Sequence, residues 1–200
     1  PQVERSGRDQ GRDDGQGRIW GAIVAAVLMI TARSPVHSAL WFAAVVLATS
    51  GLFLLEGPQA AREALAYRPE TLIEIFATPS AMDKHQDVRD AAKDAGLDVV
   101  FTTEAVLDAM ADTVTPQGIV AVARQTPTSL RSVFAGAPRL VVICEEVRDP
   151  GNLGTIIRAA DAAGADAVIL AGRTVDPYNP KVVRATTGSL FHVPLSVGVD

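Results

Sequence analysis

The 200-residue chain holds one cysteine, Cys144, three histidines, and no surplus of positive charge. Each scarcity removes a class of function. A single thiol builds neither a disulfide framework nor a multi-cysteine zinc site. His37, His85 and His192 stand far apart and give no metal-ligand spacing, so no metal site is expected. A formal charge of −5, from 18 basic and 23 acidic side chains, argues against a generally basic nucleic-acid binder and leaves only a local basic face. Aromatic residues make up just 5%, yet 48% of the chain is hydrophobic and 20% charged. That balance excludes a disordered chain, a collagen-like repeat and a coiled coil. The length suits one or two domains. With Pro at its start and no recognisable end at Asp200, the sequence reads as a fragment.

What is present is unevenly distributed. Residues 1–18 alternate arginines and acids with Gly and Gln, and read as a disordered tail. Residues 19–55 carry one charge, Arg33, and Pro35 to Leu55 carries none. A membrane helix needs about 20 such residues. Three readings of this segment compete: a signal peptide, which two apolar runs fit poorly; a buried helix; and a membrane hairpin or a piece of one, with a break at Arg33-Ser34-Pro35.

From Glu56 onward the pattern changes to alternating helices and strands. Gly57-Pro58 opens a helix that closes near Arg68-Pro69, with Ala60, Ala61, Ala64 and Leu65 on one side. Leu72–Ala77 reads as a strand, Asp83–Ala95 as one charged helix ended by Gly96, and Asp98–Thr102 as a strand. A helix over Glu104–Ala111 and a strand over Gly118–Ala123 complete a layered α/β domain, residues 56–124. Residues 125–138, rich in Thr, Ser, Pro and Gly, read as a linker. Leu140–Cys144 is a short apolar strand of the kind buried in a parallel sheet, and Leu153, Ile156, Ile157 and Ala160 recur at helical spacing after it. Ala167–Leu170 is the next strand, Lys181–Thr187 a helix and Phe191–Leu195 a strand. Residues 139–200 thus form a second α/β region.

The loop Asp149-Pro150-Gly151-Asn152-Leu153-Gly154 joins a strand end to a helix start, where open α/β sheets bind ligands. Its glycine spacing matches neither a dinucleotide fingerprint nor a P-loop, and a plain connection is the simpler account of such a turn. Arg158 points off the apolar face in the first turns of that helix, where the helix dipole disfavours a cation. Either it is a solvated side chain pairing with Asp161 at i+3, or it meets a phosphate or a developing oxyanion. Cys144 reads as a small buried hydrophobe, and Ser189 with His192 lacks a third partner for a hydrolytic triad.

Two blocks, EEVRDPGNLGTIIRAADAAGADAVIL and NPKVVRATTGSLFHVPL, closely resemble the SpoU (TrmH-like) RNA ribose 2′-O-methyltransferases. FLLEGPQAAREAL and PQGIVAVA resemble that family's N-terminal RNA-binding domain. The resemblance covers about residues 53–200. It implies a small RNA-binding α/β domain followed by a trefoil-knot (SPOUT-type) parallel-sheet domain, here incomplete; the apolar run before it adds an N-terminal helical lead. It further implies S-adenosylmethionine as cofactor, tRNA or rRNA as partner, a homodimer and a cytoplasmic site of action. Catalytic roles fall on Asn152 and Arg158, and RNA contacts on Lys181 and Arg184, for which a merely solvated pair is an equal reading.

The family's two later motifs, an Asn-Glu-Gly loop and a Ser-Leu-Asn segment, do not occur in the sequence. The expectation is therefore a methyltransferase portion without its cofactor motifs, inactive as it stands, with a parallel-sheet edge left unpaired and apolar surface uncovered. Residues 19–55 also resemble the first helices of chain J of the proton-pumping NADH-quinone oxidoreductase. Phe53-Leu54-Leu55 suits both resemblances, which suggests a join there. Two further readings stand beside the enzyme: a membrane subunit fragment related to chain J, with membrane association through 19–55, and a non-catalytic RNA-binding module.

Overall fold

The structure is a computed structural model and describes residues 51–111, 113 and 115–199. The tail over 1–18 and the apolar stretch over 19–50 lie outside the described residues. Phe53–Asp200 forms one compact unit.

Its first half is a four-stranded sheet in the order β1-β4-β2-β3, built from β1 (Leu52–Glu56), β2 (Leu72–Ala77), β3 (Val99–Phe101) and β4 (Ile119–Arg124). Strand β2 runs parallel to β3 and antiparallel to β4. Leu52–Leu55 is therefore strand, which corrects the expectation that the apolar helical lead runs to residue 55. Alternation decides the matter: Phe53 and Leu55 point into the core while their neighbours stay half-exposed. Helix α1 (Pro58–Tyr67) starts on Pro58, whose missing N–H costs nothing at a first helical position, and buries Ala61, Ala64 and Leu65.

The single charged helix expected over 83–95 is two helices, α2 (Pro79–Lys84) and α3 (Gln86–Asp94). His85 divides them at φ −119°, ψ 58°. Its N–H ends α2 on the Ala81 carbonyl at 2.9 Å, and its own carbonyl receives the Val88 N–H at 3.1 Å to begin α3. The break lets Ala81 and Met82 on one helix and Val88 and Ala92 on the other all reach the core. Helix α4 (Glu104–Met110) follows β3 as expected.

Residues 125–138 do more than link. Thr128 N–H bonds the Leu195 carbonyl at 2.7 Å and Thr126 N–H bonds the Tyr178 hydroxyl at 3.1 Å. The segment then forms helix α5 (Leu130–Ala135), capped by the Ser129 hydroxyl and anchored by buried Val133. Short polar residues that suit a linker equally suit an N-cap, and the packing of Val133 selects the second use.

The second half is a fully parallel three-stranded sheet, β5 (Val141–Glu145), β6 (Ala167–Ala171) and β7 (Leu195–Val199), in that spatial order. Helix α6 (Pro150–Ala162) joins β5 to β6, and α7 (Pro180–Thr186) lies between β6 and β7. The strand expected at Phe191–Leu195 is displaced. Ser189–Phe191 makes a 3-10 turn and the strand starts at Leu195. Phe191 and Tyr178 pack with Phe53 at ring separations of 6.4 and 4.9 Å, so aromatic burial claims the residues a strand would have used. Ile143 is 67% exposed on β5, in keeping with the uncovered apolar surface expected there. No helix among the described residues is long and apolar enough to cross a membrane.

Candidate active site at the β5–α6 junction

Strand β5 ends at Glu145, and the chain turns through Glu146, a non-glycine residue in the left-handed region at φ 53°. Such a conformation costs about 1–2 kcal/mol and persists only where neighbours hold it. Here the Glu146 N–H bonds the Ala171 carbonyl at 3.1 Å, and the Arg148 guanidinium donates to the Glu146 carboxylate at 2.6 Å. That guanidinium holds the Glu146 carboxyl below the usual carboxylate range. The Val147 carbonyl receives the Val175 N–H at 2.8 Å, so the loop is tied to β6 and to the segment after it.

Asp149 then caps α6. Its carboxylate accepts the Asn152 N–H at 2.7 Å, its carbonyl accepts the Leu153 N–H at 3.1 Å, and Pro150 takes the first helical position. Leu153, Ile157 and Ala160 are buried and Ile156 packs against the core, as the helical spacing predicts. Gly154 sets the depth of this packing. A Cβ there would lie 2.4 Å from the Ala185 Cβ, so α6 and α7 meet backbone to backbone.

Asn152 and Arg158 are both exposed on α6. The Asn152 contact above uses its backbone, and its side-chain amide has no partner among the described residues. The two residues are six apart, about 9 Å along the helix axis and roughly 120° around it. They therefore frame a surface and do not converge on one point.

The pairing of Arg158 with Asp161 does not form. The Asp161 carboxylate lies 2.8 Å from His192 Nδ1, and Arg158 makes no ion pair or side-chain hydrogen bond among the described residues. Sequence reasoning missed this use of Asp161 because His192 is distant along the chain. The other ring nitrogen, Nε2, lies 3.0 Å from Glu63 on α1, and the ring packs on Tyr67 at 3.9 Å. Both His192 nitrogens thus face carboxylates while Ser189 is buried, and among the described residues the two do not pair as nucleophile and base.

The two residues expected on RNA phosphates diverge. Lys181 is exposed in the first turn of α7, its N–H received by the Asn179 side chain at 3.0 Å. Arg184 is only half-exposed and donates to Glu56 at 3.3 Å, a carboxylate otherwise nearly buried. It ties α7 to the end of β1. Cys144 is buried, and desolvation pushes its thiol up, as a structural cysteine requires.

Comparison with known proteins now bears on this geometry. Residues 139–199 match the SpoU rRNA Methylase family, and residues 54–128 match the RNA 2′-O ribose methyltransferase substrate-binding family. Over residues 54–199 the chain belongs to the SpoU methyltransferase family. The 23S rRNA (guanosine(2553)-2′-O)-methyltransferase RlmP of Bacillus subtilis is 37% identical over 143 residues, 72% of this chain and 53% of the Bacillus protein. The crystal structure of an rRNA methyltransferase from Sinorhizobium meliloti superposes with a TM-score of 0.67 at 30% identity, covering 84% of this chain and 62% of that one. The SpoU methyltransferase AviRb from Streptomyces viridochromogenes, solved in complex with the cofactor AdoMet, gives 0.64 at 26% identity, covering 78% and 58%. The SpoU chain thus spans about half the length of the Bacillus relative. These matches do not support the likeness of residues 19–55 to NADH-quinone oxidoreductase chain J.

Proposed function

We propose that this SpoU chain serves ribose 2′-O-methylation of ribosomal RNA, with S-adenosylmethionine as methyl donor and the cytoplasm as its place of action. The observation that carries the reading is Arg158. It is an exposed guanidinium without an ion pair among the described residues, on a helix that leaves a strained, Asp149-capped turn at the carboxyl end of a parallel strand. Asp149, Arg148 and Glu146 act on the loop's shape.

A ribose hydroxyl is a weak nucleophile, and its oxygen gains negative charge as its proton leaves. Arginine keeps its proton at any working pH, so Arg158 is suited to hold a neighbouring phosphate and stabilise that oxygen, and unsuited to act as the base. Asn152 offers an amide that can donate and accept, to orient ribose or base. Lys181 supplies a charge for the RNA backbone, whereas Arg184 serves the fold through Glu56. The described residues do not by themselves fit the donor. The cavity near the carboxyl ends of β6 and β7, lined by Leu170, Gly172 and Val197, measures about 190 Å³, below the roughly 300–1,000 Å³ of small-molecule sites. A homodimer belongs to the same reading, and Leu140 and Ile143 offer it exposed apolar surface.

The test is methyl transfer from labelled S-adenosylmethionine to ribosomal RNA by the chain with the family's two later motifs restored, so that the donor has a site. Arg158→Ala is expected to lower kcat by about 10²–10³-fold, with RNA affinity changed much less. Full transfer by that variant removes the role assigned to Arg158.

A further inference from the structure

A second RNA contact lies away from Arg158. A cleft of about 480 Å³ opens between the end of β4, the segment leading into α5, and the turn before β7. Among the described residues its lining contains Arg68 and Arg124 and no carboxylate. That is unusual in a chain of net charge −5. The clefts beside α2 and α3 set their basic side chains against Glu104, Asp108, Asp90 and Asp98.

The remaining polar groups of the cleft are mainly hydroxyls, among them Thr128, Ser129 and Ser132. Arg124 is exposed and makes no ion pair among the described residues. Arg68 donates through Nε to the Phe191 carbonyl at 3.3 Å and stands 3.8 Å from Glu70, which fixes its stem while leaving guanidinium N–H groups over. Tyr178, 8% exposed, supplies an independent sign. Its hydroxyl oxygen accepts the Thr126 N–H at 3.1 Å, and the phenolic proton has no acceptor among the described residues. Burial keeps the phenol protonated: desolvation pushes its pKa up, outweighing the Thr126 N–H, which acts the other way. A buried O–H normally finds a partner.

We propose that this cleft binds a backbone phosphate of the RNA strand, with Arg124 and Arg68 supplying charge and the Tyr178 hydroxyl a directed hydrogen bond. The volume admits a nucleotide-sized group, and two guanidinium groups among hydroxyls that can donate favour an anion. The proposal rests on the reading of the chain as one that acts on RNA. It adds a site on the seam between the two sheets.

The experiment is fluorescence anisotropy of the full chain with a short, labelled, mixed-sequence oligoribonucleotide over a range of KCl concentrations. Arg124→Ala is expected to weaken binding about three- to tenfold and to reduce the slope of log K against log salt by about 0.7, the share of one phosphate contact on a single strand. Arg124→Lys should keep the slope. Tyr178→Phe should weaken binding about fivefold and leave the slope unchanged, since it removes a hydrogen bond and no charge. Wild-type affinity and slope in both Arg124→Ala and Tyr178→Phe, with unaltered thermal melts, would overturn the cleft while leaving the RNA reading intact. Absence of any binding by the wild-type chain overturns the RNA reading itself. Displacement of the oligonucleotide by an equal concentration of inorganic phosphate assigns the cleft to a free anion and overturns the RNA strand as its occupant.

Discussion

Asp166 shows how much a single exposed carboxylate can organise. One of its oxygens accepts the backbone N–H groups of Arg139 and Leu140, at 2.7 and 2.9 Å, and so pins the entry to β5. Those two donors hold its pKa below the ordinary carboxylate value. A depressed carboxylate contributes stability that is present above its unfolded pKa and is lost as pH falls through its folded one. Stability measured by urea unfolding should therefore decline as pH drops below about 4, and Asp166→Asn should flatten that decline. An unchanged acid profile in the variant would refute the assignment. The sequence marks Asp166 only as an acid before a strand. The two N–H groups it serves lie 26 and 27 residues earlier, so its role was not legible there. Arg158 is the reverse case: helical spacing alone put it off the apolar face, and the structure removed its nearest competing partner by engaging Asp161 with His192.

The pairing of α6 with α7 turns on one missing methyl group. Glycine inside a helix is disfavoured relative to alanine by about 1 kcal/mol, so Gly154→Ala ought to stabilise a helix in isolation. The Ala185 contact at 2.4 Å reverses the sign. Gly154→Ala should lower stability by roughly 1–3 kcal/mol, read as a fall in the urea midpoint at constant slope. Ala185→Gly in the same chain should recover part of the loss, and failure to recover would show that the clash lies elsewhere. Most elements of the parallel half were legible at this scale, because a buried strand is a short apolar run and α6 repeats its apolar residues with helical period. The misread elements share a cause. The break at His85, the helix within 125–138 and the shift of the last strand to Leu195 were each decided by which side chains reached the core, which local pattern does not encode.

Across the whole molecule, the two sheets are joined by contacts that sequence separation hides. His192 lies between Asp161 on α6 and Glu63 on α1, Arg184 reaches Glu56, and Phe53 packs on Tyr178 and Phe191. Gly188, at φ 108°, lies so close to Glu63 that a Cβ would meet its side chain at 2.2 Å. His192→Ala should leave two half-buried carboxylates without their shared partner and lower stability by about 1–3 kcal/mol. The matching loss in Glu63→Gln should be less than additive with it in a double-mutant cycle; strict additivity would show that the two do not act as one unit. The sequence by itself determined the α/β class and the strand–turn–helix at residues 141–162, because these rest on local periodicity, and it carried the resemblance to the family in two short motif blocks. Only the tertiary structure decided that Leu52–Leu55 is a strand, that 125–138 is docked, that Arg184 serves Glu56 and that Arg158 stands without an ion pair among the described residues. Each of those outcomes depends on a partner many residues away, and which distant groups meet is settled by burial of the shared core.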